Sequence, residues 1–168
     1  MICGQALGGA VVAIEFNADP EEVARIARDA PWRGMSELTL LDAAFDFPVR
    51  ITADGVDLLR SWRSPWVATP LIHLAVLGLA AVRSLKPGTS AAYQAPEQDW
   101  ELSLRRTGDA VTLRSSATSR PVMVSYAELL GEWTRFHRAV GQFLYGHFSE
   151  LRTHPRLAPH MGGYFPGL

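Results

Sequence analysis

The sequence of 168 residues contains few of the residue types and local patterns that identify a reaction or a compartment. Cys3 is its only cysteine, which excludes an intramolecular disulfide and a zinc site built from cysteines. No basic segment followed by an apolar run occurs near residue 1, so a secretory signal is not expected. These features predict a reduced, cytoplasmic protein.

Lysine is nearly absent from the chain. Of the 16 basic residues, only Lys86 is a lysine. Arginine, alanine and glycine are encoded by GC-rich codons and lysine is not, so this bias indicates a bacterial source with a GC-rich genome.

Long hydrophobic runs are also missing. The uncharged run 66–82 has 17 residues, whereas a transmembrane helix needs about 20 apolar residues. Because this run contains His73 and an early proline, Pro70, and lies between predicted strands, we expect a buried helix and no membrane partner.

The charge of the chain is small overall but unevenly distributed. The formal net charge of −1 argues against a general nucleic-acid binder. Residues 1–59 contain ten acidic and four basic residues, a formal charge of −6, whereas the remaining residues carry +5. This asymmetry fits ion pairing within the chain, or an acidic face that attracts a partner with a basic surface.

Hydrophobic periodicity predicts several strands. In segment 37–60, apolar and polar residues alternate from Phe45 to Ile51, and Asp54-Gly55 is a strong hairpin signal. Leu38, Leu40 and Leu41 are assigned to a preceding strand, which gives a β-meander over about 37–60. After a Ser/Ala-rich linker, three further strands are predicted around residues 100–104, 111–113 and 122–124.

Capping patterns predict the helices. Asp19-Pro20 begins a short N-terminal helix. Thr69-Pro70 begins a buried central helix at about 69–85, which Pro87-Gly88 ends. The capping box Ser125-x-x-Glu128 precedes an amphipathic helix at about 126–148. We therefore predict one α+β domain over residues 1–168, in which a mostly antiparallel sheet is packed by two main helices, with an irregular Gly/Pro/aromatic tail at about 153–168.

No motif specifies a reaction, so no catalytic, cofactor-binding or metal-binding residue is assigned. The serines lack a Gly-x-Ser-x-Gly elbow, and no glycine-rich loop precedes Lys-Ser or Lys-Thr. Glu97, Asp99 and Glu101 fit either a general acid–base pair or a solvated strand. The C-terminal histidines lack the i, i+4 spacing of a helical zinc site, so a folded tail would have to gather them; we expect hydrogen-bonded or surface histidines at these positions, which are His137, His147, His154 and His160.

The order of the elements from residue 66 to 148 carries a family resemblance. The buried helix is followed by Glu97-x-Asp99-Trp100-Glu101-Leu102, by Arg105-Arg106-Thr107-Gly108-Asp109-Ala110-Val111, by a third strand and by Val124-Ser125-Tyr126-x-Glu128-Leu129-Leu130. This order resembles small bacterial α+β proteins of unknown function that are similar to immunity proteins of toxin systems. The resemblance implies a non-enzymatic protein that inhibits a cognate toxin by covering its active site.

Four aspartates are candidate partner-binding residues. On the predicted hairpin, Asp46 and Asp57 face away from the apolar side, and Asp42 and Asp54 lie nearby in the sequence. We predict that the hairpin presents these carboxylates close together to a protein partner with a basic surface. The alternative is a solvated hairpin edge that its charges protect from aggregation.

Together these observations predict a cytosolic protein-binding module, an immunity-like inhibitor of a cognate toxin. A small enzyme or ligand-binding protein, with a pocket between the central helix and the sheet, is the alternative. A structural subunit of a larger assembly is the third interpretation.

Overall fold

The structure, a computed structural model, describes residues 11–30, 32–59, 64–96, 98–155 and 157–161. The described residues form eight strands and five α-helices, and every strand pair is antiparallel. The predicted α+β class is therefore confirmed. The strands form two four-stranded sheets rather than one, and there are more helices than predicted.

The first sheet is built around its second strand. It contains β1 (Val12–Phe16), β2 (Asp46–Ala53), β3 (Val56–Asp57) and β4 (Val67–Pro70), and β2 pairs with the other three. The predicted alternation of β2 is confirmed, since its apolar residues are buried and its polar residues are exposed or half-buried. The hairpin turn is also confirmed: Asp54 and Gly55 have φ angles of 49° and 72°, as a two-residue turn of type I′ requires.

Segment 37–43 is a helix, so the strand predicted from its leucines is wrong. An N-terminal helix, α1 (Pro20–Asp29), is followed by α2 (Glu37–Ala43). The Oγ of Ser36 accepts a hydrogen bond from the Thr39 N–H at 3.1 Å, and this satisfies one of the free donors of the first turn. Leu40 is fully buried while Leu38 is 70% exposed, which is the one-sided burial of a short surface helix.

The central helix, α3, covers residues 71–84. It consists of an α-helical turn at Leu71–His73, a π-helical segment at Leu74–Gly78 and an α-helical segment at Leu79–Ser84. It begins after the predicted Thr69-Pro70, because these two residues end β4. A Cβ atom on Gly78 would overlap ring carbons Cζ3 and Cη2 of Trp133, so any other residue at this position would force the ring or the helix backbone to shift.

The second sheet is a meander in chain order. Its strands are β5 (Ser90–Gln94), β6 (Glu101–Thr107), β7 (Ala110–Ser115) and β8 (Val122–Ser125). The Ser/Ala-rich linker of the sequence prediction is wrong, because that segment forms β5. Its Tyr93 packs into the core with 2% exposure, and pairing with β6 satisfies the backbone of these small residues.

The long helix, α4 (Tyr126–His147), ends within one residue of its predicted boundary. The Oγ of Ser125 accepts a hydrogen bond from the Glu128 N–H at 3.0 Å, as the capping box predicts. After α4, a 3-10 helix (Ser149–Thr153) and α5 (Ala158–Met161) follow, so the described part of the tail is more regular than predicted. The rest of the predicted tail, residues 162–168, lies outside the described residues.

One hydrophobic core connects the two sheets. Buried residues of both sheets, of α3 and of α4 belong to a single packed cluster, and α4 contacts both α3 and β1. The opposite face of each sheet is exposed or half-buried, which leaves polar side chains of β2, β6 and β7 accessible to other molecules.

Candidate functional site

The four predicted partner-binding aspartates do not form one cluster. Asp46 begins β2 and Asp54 follows its last residue, so eight residues of extended chain separate them by about 26 Å. Asp42 lies in α2, and Asp57 lies in β3. The expected gathering of carboxylates on the hairpin is therefore wrong, because the two ends of one strand cannot meet. Binding of a partner by these residues stays a prediction.

Asp57 is paired within the chain. Its Oδ1 accepts a hydrogen bond from Arg50 Nε at 2.6 Å, and both side chains are partly exposed. This hydrogen bond, together with the charges of Asp57 and Glu15, raises the pKa of Arg50. A basic partner would therefore compete with Arg50 for the Asp57 carboxylate.

Asp46 lies beside acidic residues of α1. Asp46, Glu22 and Asp29 line a surface cleft of about 270 Å³ between α1, the end of α2 and the start of β2. Arg25 is the one basic residue among the described residues of this lining; its Nε donates to Glu22 Oε2 at 2.8 Å, and its Nη1 lies 3.4 Å from Asp29 Oδ2. The described lining therefore holds three carboxylates and one guanidinium, and we call it the acidic cleft below.

The apolar part of this lining comes from Ile26, Met35, Ala43 and Ala44. Glu22 and Asp29 were not predicted as site residues from the sequence, although their separation of seven residues places both on one helix face. The sequence alone does not show which segment packs beside that face, because only the fold brings the first residue of β2 against α1.

A second cluster of polar side chains connects α2, α3 and β5. His73 Nδ1 lies 2.9 Å from the Tyr93 hydroxyl, and His73 Nε2 lies 3.7 Å from Asp42 Oδ1. His73 precedes the π-helical segment of α3, a feature that frequently occurs at functional sites. The cluster thus joins a predicted partner-binding residue, Asp42, to the second sheet.

Within this cluster, His73 and Tyr93 form a hydrogen-bonded pair of neutral side chains. Burial raises the pKa of Tyr93, and it lowers the pKa of His73 more than Asp42 raises it. A neutral imidazole fits both neighbours if Nδ1 accepts a hydrogen bond from the Tyr93 hydroxyl and Nε2, which lies 3.7 Å from Asp42 Oδ1, carries the proton. A phenol held in this way is protonated at neutral pH and is not an activated nucleophile.

The space expected for a pocket between the central helix and the sheet is filled with aromatic rings. The Tyr93 ring lies 5.5 Å from Trp100 and 6.4 Å from Trp133, measured between ring centroids. None of four main surface clefts in the described part of the chain is lined by a residue of α3.

The outer edge of β1 is closed by α4. The Ile14 N–H donates to Glu132 Oε1 at 2.6 Å, and Arg135 Nη2 donates to the Ile14 carbonyl at 2.6 Å. Arg135 Nε also donates to Glu132 Oε2 at 2.7 Å, so the two side chains form one unit. This pair satisfies backbone groups that would otherwise be available to another strand.

The histidines of the C-terminal part have separate environments. His137 Nε2 lies 3.2 Å from the His160 carbonyl, and His160 Nε2 lies 2.9 Å from Glu37 Oε1. His147 packs against the rings of Phe143 and Phe148. In the ranges that the structure describes, no three histidine, cysteine or acidic side chains are arranged to hold a metal ion.

The acidic residues at the start of β6 are on the surface. Asp99 and Glu101 are exposed, and the Glu101 carboxylate accepts a hydrogen bond from Ser103 Oγ at 2.8 Å. Glu97 lies outside the described residues. The exposure of the two described carboxylates fits the solvated strand that the sequence analysis gave as one alternative.

Comparison with known proteins gave no relative: no family model, no curated protein and no solved structure matches the chain. Within the described ranges, no helix combines the length and the apolar character needed to cross a membrane.

Proposed function

We propose that the chain is a protein-binding module that acts as an immunity-like inhibitor of a cognate bacterial toxin. The partner carries a basic surface, and it inserts a basic side chain at the acidic cleft. The observation that carries this proposal is the surface cleft whose described lining brings the carboxylates of Glu22, Asp29 and Asp46 together beside apolar residues.

The size and lining of the cleft favour a protein side chain as its occupant. Its volume of about 270 Å³ is below the range of about 300–1,000 Å³ that is usual for small-molecule sites. The apolar wall formed by Ile26 and Met35 would contact the aliphatic part of an arginine or lysine, while the carboxylates bind its cationic end.

The inhibitory role is supported by the family resemblance rather than by the cleft. Residues 66–148, which carry that resemblance, contain α3, the second sheet and α4 and pack around one shared core. The acidic cleft lies outside this segment. Partner recognition through the cleft and inhibition of a toxin are therefore two parts of the proposal that experiments can separate.

The direct test is to express the chain together with a toxin that is encoded by a gene adjacent to its own gene. We expect the wild-type chain to restore growth of the toxin-producing cells and Asp46→Lys to restore it less. Asp99→Lys is the matched control, because it makes the same charge change at an exposed residue outside the cleft.

Growth that is restored equally by both variants would contradict binding at the cleft. If the wild-type chain restores no growth but still binds the toxin, the inhibitory part is wrong and the binding part stands. Circular dichroism of each variant would verify that the substituted chains are folded.

A further inference from the structure

Two arginines share the exposed face of the second sheet. Arg105 of β6 is opposite Thr112 of β7, and Arg114 of β7 is opposite Ser103 of β6. Both arginines are exposed, and they are diagonal neighbours on adjacent strands, about 7–8 Å apart at the backbone. The two positive charges therefore lie side by side on an uncovered surface.

These arginines differ from four others in the described part of the chain. Arg25, Arg33, Arg50 and Arg135 each pair with a carboxylate of the chain. Neither Arg105 nor Arg114 has a carboxylate within ion-pair distance among the described residues. Glu101, on the same face of β6, accepts a hydrogen bond from Ser103 instead. The repulsion between the two guanidinium groups is thus left for water, salt or a ligand to compensate.

The two arginines line a cleft of about 460 Å³, which is within the usual range for small-molecule sites. The described residues of this lining include no carboxylate, and four of them carry hydroxyl groups around the arginines: Ser90, Ser103, Thr107 and Thr112. Guanidinium groups and hydroxyls are hydrogen-bond donors, and an arginine can bind two oxygens of one phosphate group at once.

We propose that this cleft binds the phosphate group of a small phosphorylated molecule or free phosphate. A phosphate monoester carries a charge close to −2 at neutral pH, which matches two arginines, and its terminal oxygens accept hydrogen bonds from several donors at once. A ligand with a single carboxylate carries one negative charge and would therefore balance the charge of only one of the two arginines. This site is independent of the acidic cleft, so either proposal can fail without the other.

The test is a titration of isotopically labelled protein with inorganic phosphate and with a sugar phosphate, followed by the amide signals of β6 and β7. We expect saturable shifts of these signals with both ligands, and tighter binding of the sugar phosphate if a phosphorylated metabolite is the natural ligand. Arg105→Gln and Arg114→Gln should each weaken binding about tenfold, because each removes one charged, bidentate donor.

Arg120→Gln is the matched control, since it removes the same charge from an exposed position between β7 and β8 that does not line the cleft. Thr112→Val removes one hydroxyl without changing the charge and should weaken binding less than either arginine substitution. The proposal is overturned if neither ligand gives saturable shifts, or if Arg120→Gln weakens binding as much as Arg105→Gln does.

Discussion

Replacing Gly78 with alanine should destabilise the protein, although alanine is the better helix former. The substitution gains about 1 kcal/mol of helix propensity. Against this, the new methyl group overlaps two ring carbons of Trp133, which is 1% exposed and enclosed by the core. Overpacking of a core costs about 1–3 kcal/mol, and the upper end applies here because backbone and ring must both move. We expect a net loss of about 2 kcal/mol.

Gly131→Ala in α4 is the matched control, because nothing lies within 4 Å of the position of its Cβ atom. This variant should gain about 0.5–1 kcal/mol. For a chain of this size, 1 kcal/mol shifts the melting temperature by about 2–4 °C, so Gly78→Ala should lower it by about 4–8 °C and Gly131→Ala should raise it.

Calorimetry or chemical denaturation measures both changes. Adding Trp133→Phe to Gly78→Ala should recover part of the loss, because the smaller ring leaves room for the methyl group. If Gly78→Ala is as stable as Gly131→Ala, the packing described for α3 and α4 is refuted.

Three further predictions concern other parts of the molecule. Glu132→Ala should lower the free energy of unfolding by about 1–3 kcal/mol, because the Ile14 N–H loses its acceptor, whereas the exposed Gln142→Ala should change it by less than about 0.5 kcal/mol in the same denaturation experiment. Burial lowers the pKa of His73 and His137 from 6.5, so the unfolded chain binds more protons than the folded one and stability should fall as the pH drops below about 6.5. His73→Gln should make the free energy of unfolding depend less on pH between about pH 7 and pH 5. An unchanged pH dependence would contradict the claim that burial lowers the pKa of His73. Elemental analysis should find no stoichiometric metal and chelation should leave the melting temperature unchanged; one metal per chain that disappears in a His154→Ala/His160→Ala variant would contradict this.

Elements with a local signal were predictable from the sequence. The long helix has a capping box and an apolar stripe, and β2 has a strict alternation followed by a turn that needs two positive φ angles. Segment 37–43 was misread because Leu38 and Leu40 fit an alternating pattern, whereas Leu41 does not fit it and the capping contact of Ser36 stabilises a helix. Strand β5 was not predicted because its small residues show no clear alternation of apolar and polar side chains. Its backbone is held in a strand by pairing with β6.

The candidate sites were less predictable, because they depend on contacts between distant segments. Asp46 was identified as a surface carboxylate, but its acidic neighbours belong to α1 and were not connected with it. The proximity of Asp42, His73 and Tyr93 requires three elements to pack together. Arg105 and Arg114 were visible as charges in the sequence, whereas the register of β6 and β7 makes them neighbours.

The association rate of the purified chain with the proposed toxin partner, measured by stopped-flow at about 50 mM and about 500 mM salt, tests binding at the acidic cleft most directly. Wild-type protein should associate about tenfold faster than Asp46→Lys at low salt, and the difference should largely disappear at high salt, because screening removes the electrostatic attraction. Asp99→Lys should remain close to the wild type. Equal rates and equal affinities for Asp46→Lys and Asp99→Lys at both salt concentrations would show that the partner does not bind at the cleft.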